Sequence, residues 1–458
     1  MIVLGAGDIE NATGAVLERG NRESTVKGVS IDSRKTAPGD LFVAVKGSRF
    51  DGHAFVGEAL ERGAAGIMVT RSGNVKKSGS GPFELVVDDT QRALGDLAAC
   101  IRKKVNIPVI CITGTNGKTT VKDILSHILS SRYKVLKSRA SYNNIIGLSL
   151  TLFELTKNHE VAVLELGTSK PGEISRLAAI AQPHVAVVNN IGDGHLQAFS
   201  DREGVFMEKM SLIDALPETG MAFLNNDDPL LSRAEIRDVT VRRFGSSPKI
   251  HFRIEDINVQ DHTQRFSLNG EGYSISLEGL HNVHNAAAAV SVALQFDMDS
   301  EDIRTVISGA KGPAMRMEKV VLGDITFIKD CYNANPDSFE SALNSLEIGC
   351  SSRIRVVVAG DMLDLGQKSD EFHRAVGKSI AYRNLDFIVT LGERSRLMAE
   401  GAREAGMSPD NIFRADDHRH AAEILKNPSM SGATVLLKGS RAMKMEEILK
   451  CYTTCCTP

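Results

Sequence analysis

The chain has 458 residues, 42% hydrophobic and 24% charged, the profile of a soluble globular protein of roughly three domains. Its 54 Lys and Arg against 57 Asp and Glu leave a net charge of −3, and it has no Trp; neither a basic excess nor stacking platforms speak for nucleic acid or an anionic membrane. No apolar run approaches a membrane span, the start has no basic residue before Arg19, and seven scattered Cys suit reduced thiols, so the expectation is a cytoplasmic protein with an unstructured tail at "KCYTTCCTP".

"GAGDIE" near the start carries Glu10 where a dinucleotide fingerprint needs its third glycine, so it reads as a tight surface turn. Strand-like runs at 41–45 and 65–69 flank a helical stretch near 53–62. The polar "RSGNVKKSGSGP" is a loop, and a helix over about 91–104 leads to Pro108. From there strand, loop and helix alternate. "PVICITG", "EVAVLELG", "HVAVVNNIG" and "GMAFLNNDDP" are nearly continuous apolar runs, as expected of central strands in a parallel sheet. "FRIEDINVQDHTQRFSLNGEGYSISLEG" alternates by twos around a turn at "NGEG", which predicts a small antiparallel patch before the Ala-rich helix at "HNVHNAAAAVSVALQF". After "SGAKGPAMRMEKV" the alternation restarts with strands at "ITFIKD", "IRVVVAG", "DFIVTLG" and "ATVLLKG". The expected fold class is α/β, with domains over 1–105, 106–312 and 313–458: a central parallel-sheet ATPase-like domain and a C-terminal Rossmann-like one.

"CITGTNGKTT" sits between an apolar strand and a helix, the setting in which glycine-loop amides and a helix N-terminus attract phosphate oxygens. It departs from the common G-x-x-x-x-G-K-[ST] template, because Ile112 stands where the first glycine belongs. Gly114, Thr115, Asn116, Gly117 and Thr120 would frame the phosphates, Lys118 would meet the β/γ-phosphates, and Thr119 would ligate Mg²⁺. Glu165 and His195 follow later strands, where ligands of parallel sheets gather; each taken singly is more often a capping or packing residue. Lys209, by spacing alone, is a solvated helical lysine. Asn333, Asn335 and Ser338 form a polar loop that could bind a small ligand, or else Asp337 or Ser338 caps the next helix. Lys438, Ser440 and Arg441 lie at a strand end and suit a carboxylate. Asp361 and Asp364 in "GDMLDLG" read as a plain acidic turn or a site.

These motifs together resemble the Mur ligase family over nearly the whole chain. "IDSR…PGDLFVAVKG…DGHAF", "GTNGKTT", "SYNNIIGLSLTLFEL", "ELG", "NNIGDGHL", "LHNVHNAAAA" and "DCYNANPDS" follow in the family's order, and its phosphate loop does not need the first Walker glycine. "YNANPDS", "GDMLDLG" and "LLKGSR" resemble the member that adds the terminal dipeptide; the sister that adds the third amino acid usually shows "DNPR", absent here. The resemblance implies an ATP-dependent ligase joining D-alanyl-D-alanine to UDP-N-acetylmuramoyl-tripeptide through an acyl phosphate, with the third-residue-adding sister as the alternative. It implies two Mg²⁺ ions, one held by Thr119 and Glu165, the other by Glu165, His195 and a carbamylated Lys209. His281, Asn282 and Asn285 would flank the adenine, and Arg316 and Asp330 would reach the nucleotide from the third domain. Asn333, Asn335, Ser338, Lys438, Ser440 and Arg441 would face the dipeptide; Ser33, Arg34 and Lys46 would face the uridine-sugar. A monomer without nucleic-acid partners is expected. The family usually has Asn at Ser141, Pro at Ser149 and Glu at Ser211. A P-loop switch or transport ATPase would carry the full Walker glycine. A non-catalytic nucleotide-sugar binder would not need Lys118, Thr119, Glu165 and His195 together.

Overall fold

A computed structural model describes residues 3–47, 50–71, 82–260, 263–349, 352, 354–383 and 385–454. Most of the Gly/Ser-rich loop (72–81) and Cys455 and Cys456 lie outside the described residues. Three sheets organise the rest. The first orders strands Val16–Arg19, Phe83–Val87, Gly66–Thr70, Asp40–Val43 and Gly28–Ser30, the last four mutually parallel. Helix Thr90–Lys103, capped by the Asp89 carboxylate, lays Leu94, Leu97 and Ile101 on that unit's core. Its Arg102 is buried and donates to the carbonyls of Val105 (2.6 Å), Ile107 (3.0 Å) and Ala181 (3.1 Å), fastening the first unit to the second. The expected surface turn at "GAGDIE" is instead a strand, Leu4–Gly5, running into helix Ala6–Thr13. Ala6 and Ile9 fall on one buried face, and Gly14 closes the helix at φ 67°.

The second sheet has nine strands, in the order Glu271–Ile275, Thr263–Leu268, Phe252–Gln260, Thr240–Gly245, Met221–Asn225, Val185–Val188, Val109–Thr113, Val161–Glu165, Val135–Lys137. The chain enters at Val109–Thr113, passes to the edge strand Val135–Lys137, fills the gap with Val161–Glu165, then crosses back to build outward on the other side. The loop after Val109–Thr113 therefore sits where strand order reverses, the crevice in which open parallel sheets bind ligands. Both faces are covered, which is why "VICIT" is buried at every position. The alternating segment forms three antiparallel strands at the sheet's end, turning through Asn269 (φ 53°) and Gly270 (φ 86°).

The third sheet orders Glu318–Leu322, Ile325–Asp330, Thr434–Lys438, Arg355–Gly360, Phe387–Leu391 and Ile412–Ala415. The two edge strands, Glu318–Leu322 and Ile412–Ala415, have weak apolar patterns and were not evident in the sequence. On one face, helices Ser369–Tyr382 and Arg396–Glu404 meet backbone to backbone. A Cβ at Gly377 would overlap the Met398 carbonyl, and one at Gly401 would overlap the Arg374 carbonyl. Gly377→Ala should thus force the helices apart and cost about 1–3 kcal/mol. Denaturant unfolding should show the third unit melting at a lower midpoint; an unchanged midpoint would mean the helices are not in this contact.

Candidate active site

The phosphate loop begins where the buried strand ends. Ile112 is fully buried in the sheet, so the chain turns only at Gly114 (φ 149°), and a glycine one turn earlier has no role. Gly117 (φ 82°) opens helix Lys118–Leu129 with no side-chain cap, leaving first-turn amides for a ligand. A side chain at Gly117 would strike the amides of Asn189 and Asn285, which pack beneath it. Those amides form a brace: Asn189 Nδ2 donates to the Asn116 carbonyl (3.0 Å) and to Asn285 Oδ1 (2.8 Å), and Asn285 Nδ2 donates to Asn282 Oδ1 (2.9 Å). Asn190 Oδ1 accepts from the Asn116 amide (2.8 Å). Asn282 and Asn285 are thus engaged in shaping the loop. Thr119 and Thr120 are buried, and Lys118 is half-buried, folded over its own loop with Nζ donating to the carbonyls of Gly114 (2.8 Å) and Thr115 (3.1 Å). Burial outweighs the pull of Glu165 and brings its pKa down to about 8.

Glu165 ends the neighbouring strand and is 1% exposed. Its Oε1 accepts from Asn143 Nδ2 (2.8 Å), while Oε2 is buried without a partner, an anionic atom that a cation fits. Asn143 belongs to a loop held by Lys122, a fully buried lysine whose Nζ donates to the Ala140 carbonyl (2.5 Å). Neither Asn143 nor Lys122 stood out in the sequence, where one lies in a polar run and the other in a helix.

His195 adopts a left-handed backbone (φ 56°) at the start of helix Leu196–Phe199, and its Nδ1 stands 4.0 Å from Asp364 Oδ2 of the third unit. Burial, with the charges of Lys118 and Lys209, keeps its pKa below the usual imidazole value, so the ring is neutral and can ligate. Lys209 overturns the solvated-lysine expectation: helix Arg202–Asp214 turns it inward, 4% exposed. Burial and the nearby Lys118 charge hold its pKa well below the ordinary lysine value against the pull of Glu208. Ser211 turns away, its hydroxyl donating to the Glu208 carbonyl (2.6 Å). Among the described residues no three His, Cys, Asp or Glu converge as a ready metal site. The buried, unpartnered carboxylate oxygen of Glu165 is a ligand type that fits Mg²⁺, which commonly takes one or two carboxylates and completes its shell with water and phosphate oxygens.

The third unit leans on this cluster. Asn335 and Asn116 exchange amide hydrogen bonds (3.0 and 3.3 Å). Arg316 donates to Thr119 Oγ1 (3.3 Å) and stacks on Tyr332, whose hydroxyl meets Ser141. Ser341 contacts His281, a half-buried imidazole whose pKa is lowered to about 4, chiefly by burial. Asp337 accepts from the Asp193 amide and from Arg202 (both 2.8 Å).

The expected dipeptide residues are mostly spoken for. Asn335, rather than Asp337 or Ser338, caps helix Pro336–Gly349: its Oδ1 accepts from the Ser338 amide (2.8 Å), and Ser338 Oγ accepts in return from the Asn335 amide (3.0 Å). Lys438 is buried against Asp330, Ser440 accepts from the Leu363 amide, and Arg441 pairs with Glu446. The Asp330 carboxylate is likewise engaged; Asn333 is exposed. In the first unit, Ser33 donates to Glu58, Arg34 bonds Asp32, and Lys46 is exposed.

Comparison with known proteins matches residues 25–108 to the Mur ligase family catalytic domain, 112–293 to the Mur ligase middle domain, and 315–441 to the Mur ligase glutamate ligase domain. The UDP-N-acetylmuramoyl-tripeptide–D-alanyl-D-alanine ligase of Bacillus subtilis is 35% identical over 93% of both chains, and that of Escherichia coli 32% over 93% of both. A crystal structure of MurF from Acinetobacter baumannii superposes with a TM-score of 0.89 at 30% identity over 99% of both chains. The Thermotoga maritima MurF ligase in complex with ADP gives 0.81 at 28% over 94% of this chain and 97% of that one.

Asp337 is a third-unit carboxylate that bonds the second unit at two points, so Asp337→Ala should loosen their contact. Solution scattering of the free protein should show a larger radius of gyration than wild type. Equal radii would mean that the asparagine pair and Arg316 suffice.

Proposed function

This chain belongs to the Mur ligase family, and on that premise we propose how its side chains divide the reaction. It is an ATP-dependent ligase that joins D-alanyl-D-alanine to UDP-N-acetylmuramoyl-tripeptide in peptidoglycan synthesis. The relatives at 35% and 32% identity carry the dipeptide-adding activity in their names, which favours it over addition of the third amino acid.

A carboxylate is a poor acceptor for an amine at neutral pH, because its oxygen is a poor leaving group. Transfer of the γ-phosphoryl group to that carboxylate releases ADP and gives an acyl phosphate. The dipeptide amine then attacks the carbonyl carbon, phosphate leaves, and the amine nitrogen loses its proton. Both steps gather anions, so catalysis rests on fixed positive charge and donors aimed at the phosphoryl oxygens. Lys118 and the amides opening its helix fill that role for ATP. Bound Mg²⁺ would neutralise phosphate oxygens; Thr119 and Glu165 would hold one ion, and Glu165, His195 and carbamylated Lys209 the other. The neutral His281, with Asn282 and Asn285, would border the adenine, and Arg316 and Asp330 would reach the nucleotide from the third unit. Ser33, Arg34 and Lys46 would face the uridine-sugar. These roles fit a first domain over 1–105, a second over 106–312 and a third over 313–458. Use of ATP and a UDP-linked substrate places the reaction in the cytoplasm; among the described residues no helix is long and apolar enough to cross a membrane.

The burial of Lys209 carries this reading. A buried ammonium beside Lys118 is repelled, whereas a neutral amine adds CO₂ through a new N–C bond, releases a proton and becomes an anion with two oxygens. Lys209→Ala should lose ligation, and formate or acetate should restore part of it by filling the vacated place. A fully active variant would return Lys209 to a packing role.

Phosphate release with ATP and UDP-N-acetylmuramoyl-tripeptide should rise on adding D-alanyl-D-alanine and leave amide product. Equal release with and without the dipeptide, and no product, would refute the assignment.

A further inference from the structure

Lys122 has no part in the division of labour above, yet it is 0% exposed. A lysine is seldom buried so fully unless it is paired, because its ammonium gives up water. It sits on helix Lys118–Leu129, three positions after Thr119 and on the same face. Asp123 Oδ1 lies 3.5 Å from its Nζ, but that carboxylate is closer to the half-exposed Lys137, at 3.1 Å. The short bond goes elsewhere: Nζ donates to the Ala140 carbonyl at 2.5 Å. With no surface open to solvent, Lys122 is placed to hold protein rather than a ligand.

What it holds is the loop between strand Val135–Lys137 and helix Ile145–Phe153. Ala140 is exposed and left-handed (φ 42°), a backbone that costs energy in a residue with a Cβ, so its conformation needs an outside restraint. Further along, the loop meets the site at two points. Asn143 Nδ2 donates to Glu165 Oε1 (2.8 Å), and the Asn143 carbonyl accepts from the Gly167 amide (2.8 Å). Gly167 comes so close that a Cβ there would strike the Asn143 side-chain amide, so a small shift of the loop is passed on to Glu165. At the second point, Ser141 meets the Tyr332 hydroxyl. The Tyr332 ring carries Arg316, whose guanidinium lies 4.6 Å from the ring centre and donates to Thr119 Oγ1 (3.3 Å). The phosphate helix thus grips one loop twice, directly through Lys122 and by way of the third unit through Thr119.

We propose that Lys122 is a positioning residue for the metal–nucleotide complex: its bond to the Ala140 carbonyl sets where Asn143 holds Glu165 and where Ser141 seats Tyr332. The assignment rests on the proposed function in one respect, that Glu165 ligates Mg²⁺. Two simpler roles forecast different behaviour. A lysine that merely fills the core leaves metal binding alone. A lysine that acts as a bare charge, which Glu165 feels, opposes the metal, so removing it tightens metal binding. A lysine that positions the loop does the reverse, because its loss frees Asn143 and with it Glu165.

The readout is binding rather than turnover. Mn²⁺ stands in for Mg²⁺ and is followed by its electron paramagnetic resonance as it titrates the full chain saturated with a non-hydrolysable ATP analogue. Lys122→Met keeps the side chain's length and loses its donor and charge. Its Mn²⁺ half-saturation should rise about tenfold, the loss of one charge-assisted hydrogen bond. Asn143→Ala should show a similar rise, and the double variant no more than either alone, because both act through one contact. Ala140→Val approaches the same bond from an exposed position, where a branched side chain disfavours the left-handed backbone. It should weaken Mn²⁺ binding as well, and it carries the test if Lys122→Met does not fold. Unchanged or tighter Mn²⁺ binding in a folded Lys122→Met, or additive losses in the double variant, overturns the assignment. So does an Ala140→Val variant that binds Mn²⁺ as wild type does. Glu165→Gln checks the premise separately: if it keeps wild-type Mn²⁺ binding, Glu165 is no metal ligand, and the assignment falls with that reading.

Discussion

Positive charge without enough negative charge to match is the condition on which this site depends. Lys118, Lys122 and Lys209 are wholly or partly withdrawn from water, the first two near the buried Glu165 and the third near the buried Glu208. Each has its pKa lowered, with burial the leading cause. In a low-dielectric interior such charges repel strongly and are costly to leave uncompensated. Lys122 finds a carbonyl and the neighbouring Asp123, and Lys118 leans on the carbonyls of its own loop. The contrast is Lys438, equally buried but neutralised by Asp330 within the protein. A cluster left cationic in this way suits phosphates, and the lowered pKa of Lys209 favours the neutral amine that the proposed carbamate requires. One imbalance accounts for both the proposed ligand and the proposed modification.

The scaffold fixes this cluster in place before any ligand arrives. Reversal of strand order at Val109–Thr113 leaves a crevice, and the side-chain-free Gly117 lets the loop settle on the Asn189–Asn285 brace. With the carbonyls tied from below, the first-turn amides of the next helix need little reorganisation to meet phosphoryl oxygens. The third unit touches each part of the arrangement. Asn335 reaches the phosphate loop, Arg316 reaches Thr119, Tyr332 reaches the loop that positions Glu165, and Asp337 reaches the segment leading to His195. Movement of that unit would therefore shift the phosphate loop, Thr119 and the segments carrying Asn143 and His195 together, a coupling that suits a ligase that must keep water from a reactive acyl phosphate.

Much of this was legible along the chain. Continuous apolar runs marked the parallel strands because each is covered on both faces. The glycine loop and the polar residues after Val161–Glu165 and Val185–Val188 marked the site because ligands collect at those strand ends. Local patterns were less informative where the interaction was distant. "GAGDIE" looked like a turn, yet Ala6 and Ile9 make it a helix once there is a core to face. Asn335 and Ser338 read as ligand groups or, at Asp337 or Ser338, as a helix cap; Asn335 and Ser338 close the helix N-terminus on each other. Lys209 looked solvated because an apolar stripe is missing from its helix, and the helix nonetheless buries it.

The sequence by itself determined the alternation of strands and helices, the place of the phosphate loop, and the residue types at the strand ends. These follow from neighbours a few positions apart, through pleat, helical turn and backbone freedom. Only the tertiary structure decided which charges are spent and which remain available. Lys438 and Asp330 are 108 positions apart, and Asn116 and Asn335 are 219 apart. A lysine's protonation, and whether an arginine can take a ligand, depend on what lies within a few ångströms and on how much water is excluded there. Neither quantity is set by adjacency in the chain, so the same residue letters give a satisfied ion pair at Lys438 and a proton-poor amine at Lys209.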